Sequence, residues 1–156
     1  MEKSAEYKRR FGIVAYNQKW AVTMAKVGIR RAVEKKPFPH WELLTFCGPN
    51  GGEARGVVDM VAIRKDHKKP DRGLKLGDAL QIILIQVKGG SAARPTAEDG
   101  KRLRLVAARH QACGVLLAAW KKGNAAEFFS LLMKPKEGQS DWTLQLTDPD
   151  LKAIFH

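Results

Sequence analysis

Residues 79–90 read ALQIILIQVKGG, the most hydrophobic run in the chain, and the fold follows from what lies on either side of it. The run has the length and the β-branched content of a buried strand, and Gly89-Gly90 end it. Side chains alternate along a strand, so Gln86 and Lys88 share one side while Ile83, Ile85 and Val87 share the other. Downstream, Pro95, Thr96 and Asp99 carry the spacing of a capped helix running to about Cys113, with Leu103, Val106, Ala107 and Ala112 for packing and Gly114 to end it. The apolar strand Val115 to Trp120 follows. A strand, a helical crossover and a second strand make a parallel pair.

Upstream, GVVDMVAIR at 56–64 is a nearly continuous apolar strand with Asp59 in its middle. A basic, turn-rich loop, Lys65 to Gly77, joins it to the central strand. Trp41 to Cys47 is a shorter strand, ended by the turn cluster at 48–52. Asn17 to Glu34 reads as a helix whose stripe is Trp20, Met24 and Val27 with Ala21, Ala25 and Ala32 beside it, extending to Arg31 and Glu34; Pro37 and Pro39 stop it. Glu127 to Met133 reads as a further strand, Trp142 to Leu146 as an edge strand, and Asp148-Pro149 as the start of a short terminal helix. The expectation is one α/β domain over residues 1–156, a mixed β-sheet flanked by helices in three layers.

The 156 residues carry 28 Lys and Arg against 16 Asp and Glu, a net charge of +12, which favours a polyanionic partner. The basic stretches do not form an amphipathic helix with a bulky apolar face, so a membrane partner is not expected. The charged stretch Met1 to Arg10 leads into no long apolar run, and neither a signal peptide nor a membrane span is read there; a reducing cytoplasm fits. Cys47 and Cys113 lack metal-site spacing and read as buried small hydrophobes. His40, His67, His110 and His156 are scattered, against a histidine-metal or Ser-His-Asp centre. Trp20, Trp41, Trp120 and Trp142 read as core or interface anchors.

A carboxylate inside an apolar strand is costly unless it has a use. Asp59 on one strand, with Gln86 and Lys88 on the next, supplies an acid, an amide and an ammonium at workable spacing. Mg²⁺ takes oxygen ligands and keeps several waters, so a carboxylate, an amide oxygen and a backbone carbonyl suffice from the protein. A lysine two residues beyond the amide reaches the same face, where it can orient a water or neutralise a phosphate. Read singly, Asp59 is as well explained as an acid capping a turn or pairing with a lysine, and Gln86 as a buried amide satisfied by backbone.

The segments GVVDMVAIRKD and ILIQVKGG, a helix, and then GVLLAAW resemble the PD-(D/E)xK nuclease superfamily, which includes restriction endonucleases and Holliday-junction resolvases; the likeness in element order covers residues 17–133. Gln86 stands where the family usually has Glu, a variant similar to the Mrr-like branch, and Val58 stands where a proline often precedes the acid. The resemblance implies a restriction-endonuclease-like core and a Mg²⁺-dependent endodeoxyribonuclease, with Mn²⁺ as a substitute ion. It implies catalytic Asp59, Gln86 and Lys88, a metal held by Asp59, Gln86 and the Val87 carbonyl, and a homodimer that cuts both strands. The family's extra acid falls to Glu34, with Glu53 as the fallback. Replacing Glu by Gln removes one negative charge and weakens the ion's hold. The alternatives are a non-catalytic DNA- or RNA-binding module on the same scaffold, or a basic RNA-binding protein in which Asp59 and Lys88 lie apart.

Three basic clusters are the candidate phosphate contacts, to DNA before RNA: Arg30 and Arg31, continued by Lys35 and Lys36; Arg64, Lys65, Lys68, Lys69 and Arg72; and Lys101, Arg102 and Arg104. The loop cluster ranks first, because flexible basic loops beside a sheet grip a backbone without reading bases.

Overall fold

The computed structural model describes residues 2–33, 39–46, 55–68, 70–90 and 94–156, with side chains from Gln18 onward. Five strands lie in chain order across one sheet: β1 (Glu42–Thr45), β2 (Met60–Lys65), β3 (Leu80–Gly89), β4 (Gly114–Trp120) and β5 (Glu127–Ser130). Neighbours run antiparallel except β3 and β4, which are parallel and joined by the helix α2 (Ala97–Arg109). The long helix α1 (Glu2–Val33) precedes the sheet and α3 (Asp148–Ile154) follows it. Among the described residues no helix is long and apolar enough to cross a membrane.

The apolar alternation of the strands divides the core in two. Met60, Ala62, Ile83, Ile85, Val87, Leu116, Ala118 and Phe128 pack with α1 and α3, whereas Leu84 and Val115 pack on the opposite face with Leu103 and Ala107 of α2. Helices therefore cover both faces of a five-stranded mixed sheet.

α1 meets the sheet through a stripe turned from the expected one. Ala21, Ala25, Ile29 and Ala32 are buried, while Trp20 is 41% exposed and Met24 and Val27 lie at the margin. Short side chains let the helix lie close to the strands; a Cβ on Gly28 would stand 2.6 Å from the Phe128 ring. An indole does not fit in so narrow a gap.

α2 starts where the sequence indicates, with Thr96 and Asp99 forming a reciprocal capping box. It ends at Arg109, short of Cys113: Gln111 takes φ +50° and the Cys113 N–H then bonds the Ile82 carbonyl at 2.7 Å, joining the sheet. Cys113 is consequently exposed, not buried; Cys47 lies outside the described residues. α3 begins at Asp148 behind the cap Thr147.

β2 begins at Met60, four residues later than expected, because the chain bends at 55–57 with Gly56 at φ +128°. The segment from Trp142 to Leu146 forms a single bridge to Leu131 and no strand. The Thr143 hydroxyl, not a backbone carbonyl, accepts the Ser130 N–H at 3.0 Å, which interrupts a ladder there.

Candidate functional site

β3 outruns its antiparallel neighbour, and the candidate site lies where that happens. Met60 pairs with Ile85, so the register continues to Asp59 opposite Gln86, beyond which β2 offers no strand to β3. The main chain of Asp59 is held from both sides: its N–H bonds the Ile85 carbonyl and its carbonyl accepts from Phe46, each at 3.0 Å. Its side chain takes the place of the missing ladder, with Oδ2 accepting the Val87 N–H at 2.6 Å. Asp59 thus sits at the mouth of β2 and not in mid-strand, and backbone hydrogen bonds fix its carboxylate beside Gln86 and Val87.

Gln86 is 4% exposed and faces the α2 side, opposite Ile85 and Val87, whose side chains are buried against α1. Its Oε1 is buried with no hydrogen-bond partner among the described residues. An unsatisfied buried acceptor costs about 1–3 kcal/mol, so this oxygen is not explained as an amide satisfied by backbone. Lys88, half-buried on the same side and one register step further, has no hydrogen-bond or ion-pair partner among the described residues and lines a cleft of about 510 Å³ at the carboxyl ends of β3 and β4. Three groups named from the sequence, Asp59, Gln86 and Lys88, come together at one end of the sheet.

Other candidates are placed differently. Glu34, Glu53, Lys35, Lys36 and Lys69 lie outside the described residues. Val33, the last described residue of α1, lines a second cleft of about 330 Å³ at the far end of β2 with Arg64, Asp66 and Lys68. The loop cluster is at that far end too: β2 and β3 form a hairpin whose loop joins Lys65 to Leu80, while Asp59 and Gln86 stand at its open end. Six residues of β3 separate them, about 20 Å along the strand. Lys65, Lys68 and Arg72 are exposed there, away from the candidate site.

Two of the predicted phosphate contacts are engaged inside the fold. Arg64 donates from Nε to Gln81 Oε1 at 2.6 Å and from Nη2 to the His156 carbonyl at 2.7 Å, and it lies 4.4 Å over the Trp41 ring. Arg104 donates from Nε to the Leu132 carbonyl at 2.8 Å and forms a 2.6 Å ion pair with Asp141. Arg30 and Arg31 on α1 and Lys101 and Arg102 on α2 are exposed, but on opposite sides of the sheet.

Two cations not singled out from sequence, Arg94 and Lys121, line the cleft with Lys88. Both follow the carboxyl end of a parallel strand, β3 and β4 respectively, where ligands of open α/β sheets collect, and that was the available signal. Trp142, read from sequence as a core or interface anchor, and Phe129, not singled out there, line the same cleft.

No protein-family model, curated protein or solved structure matches the chain. Fold and site define an α/β domain with an acid, an amide and an ammonium at the carboxyl end of its central strand.

Proposed function

We propose that the chain is a divalent-cation-dependent phosphodiesterase acting on DNA, on a restriction-endonuclease-like core. The observation that carries this reading is the buried Gln86 Oε1, without a hydrogen-bond partner among the described residues, beside a carboxylate whose position the Val87 amide sets. A hard cation is the species such an oxygen lacks, and Asp59, Gln86 and the Val87 carbonyl would hold Mg²⁺ or Mn²⁺. When bound, the ion supplies charge stabilisation at the phosphate and a more acidic water. The protein's own groups do the rest: the Val87 N–H holds Asp59 ready, and the Lys88 ammonium orients the attacking water or neutralises a phosphate oxygen. With Gln in place of Glu the site carries one negative charge fewer, so the ion binds weakly and cleavage needs it at high concentration. The net charge of +12 supports a polyanionic substrate.

The test is a cleavage panel on duplex, single-stranded and branched DNA with Mg²⁺, Mn²⁺ or EDTA. Cleavage that requires the ion and is lost in Asp59→Asn is expected; no cleavage of any substrate with either ion overturns the catalytic reading.

One observation favours a second reading, a nucleic-acid-binding module without turnover. Among the described residues no three His, Cys, Asp or Glu side chains gather as a metal cluster, and Asp59 Oδ2 is engaged by a backbone amide. Salt-sensitive binding without cleavage in the same panel would select it.

A further inference from the structure

The cleft beside Lys88 is larger than a phosphate contact requires. At about 510 Å³ it falls within the range that encloses a small organic ligand. One side of it is aromatic. Phe129 stands two strands from Gln86 in the same register row, Gln86 to Leu117 to Phe129, and the Arg94 guanidinium lies 5.7 Å over its ring. A charged, exposed side chain over that ring means that a π face is turned to the opening and not sealed in the core.

Trp142 is held beside it by the bridge to Leu131 and by its neighbour Asp141, which Arg104 ties to α2. Its indole Nε1 is buried and has no hydrogen-bond partner among the described residues. Lys88, Arg94 and Lys121 bring three cations to the same cleft. Of its two carboxylates, Asp141 is neutralised by Arg104, and Glu127 is exposed and able to accept from an exocyclic amine.

An aromatic face, an indole donor without a hydrogen-bond partner among the described residues and a cationic lining suit a nucleobase out of its stack, with its phosphates on the cations. We propose that this cleft receives one unpaired nucleotide of a DNA strand, the base against Phe129 and Trp142 and the adjoining phosphates at Lys88, Arg94 and Lys121. The proposal rests on the phosphodiesterase reading for the role of Lys88 and deepens it, since it makes an unpaired segment the substrate. A base inside a duplex has both faces stacked and enters only after extrusion.

The test uses the full chain in EDTA with three oligodeoxynucleotides of one sequence: a single strand, a full duplex, and a duplex with one unpaired nucleotide, each carrying iodouracil at that position. The two with an unpaired base should bind about tenfold or more tighter than the duplex. Irradiation should cross-link iodouracil to the peptides holding Phe129 or Trp142. Trp142→Phe should keep the preference and Trp142→Ala lose it. Should Trp142→Ala fail to fold, Arg94→Glu with Lys121→Glu, both at exposed positions, should weaken single-strand binding at least tenfold. Equal affinity for duplex and unpaired forms, or cross-links elsewhere, overturns the proposal. Cross-linking here without metal-dependent cleavage of any substrate removes the catalytic reading and leaves the cleft assignment standing; cleavage of full duplex without cross-linking here does the reverse.

Discussion

β3 carries two buried glutamines, five residues apart, that have opposite fates. Gln81 turns to the end where the chain closes on itself: its Oε1 accepts from Arg64, which also binds the His156 carbonyl and stacks on Trp41, and the Trp41 indole donates to the Phe155 carbonyl at 2.9 Å. Gln86, at the other end and on the other face, is as deeply buried and its Oε1 has no partner among the described residues. Burial of a polar side chain therefore says little about function; the unsatisfied oxygen is the informative one. The contrast also separates two kinds of cation, Arg64 held by three groups of the fold and Lys88 with none among the described residues.

The widest separation between the two ends should appear in Lys88→Ala. Metal-dependent cleavage should fall by about 10² or more, the scale of losing one positioned group at a developing charge. Thermal unfolding should change little, and a rate near wild type would place Lys88 with the merely solvated lysines. At the other end the effect should be on stability alone. Arg64→Ala or Gln81→Leu leaves a buried group unpaired and should cost about 1–3 kcal/mol in chemical denaturation, with nucleic-acid affinity preserved. Loss of affinity without loss of stability would return Arg64 to the phosphate contacts.

Gln86→Leu tests the asymmetry between the amides directly. Removing an unsatisfied buried oxygen should leave stability unchanged or raise it by about 1 kcal/mol in EDTA, while abolishing cleavage. A destabilisation as large as that of Gln81→Leu would mean that Gln86 has a structural partner after all.

The smallest effect concerns α3, which carries Phe155 and His156 to the closed end. Hydrogen bonds from the Thr147 side chain and then its backbone hold the Asp150 carboxyl below its usual range. A carboxyl depressed in the folded state stabilises above the unfolded value, and that contribution disappears as pH falls through the folded one. Wild type and Thr147→Ala should therefore differ in melting temperature by more near neutrality than in acid, where only the lost bond from the Asp150 N–H to the Thr147 hydroxyl still counts. A gap that does not narrow below the carboxylate range would assign the whole effect to the cap and none to the carboxyl.

Much of the fold was legible in residue pattern. Period-two alternation put Gln86 and Lys88 on one side and Val87 on the other, and the helical crossover made β3 and β4 parallel. The loop cluster, ranked first among the phosphate contacts, was placed only by the structure, because the β2–β3 hairpin turns its loop to the end opposite Asp59 and Gln86. The α1 stripe was misread because hydrophobic bulk singled out Trp20, whereas the spacing between helix and sheet selects Ala21 and Ala25. Arg64 and Arg104 looked like any residues of a basic cluster. Their partners, Gln81, His156, Leu132 and Asp141, are 17 or more positions away in the chain, and no local pattern marks such a contact.

Sequence alone determined the order of the five sheet strands, though not their ends, the parallel crossover and the shared side of amide and ammonium, because each follows from backbone geometry within one or two elements. Tertiary structure decided which cations are engaged, left Gln86 Oε1 without a partner among the described residues and brought Trp142 and Phe129 to the lining of one cleft. Those outcomes depend on hydrogen bonds and packing between segments far apart in the chain, which only the folded arrangement brings together.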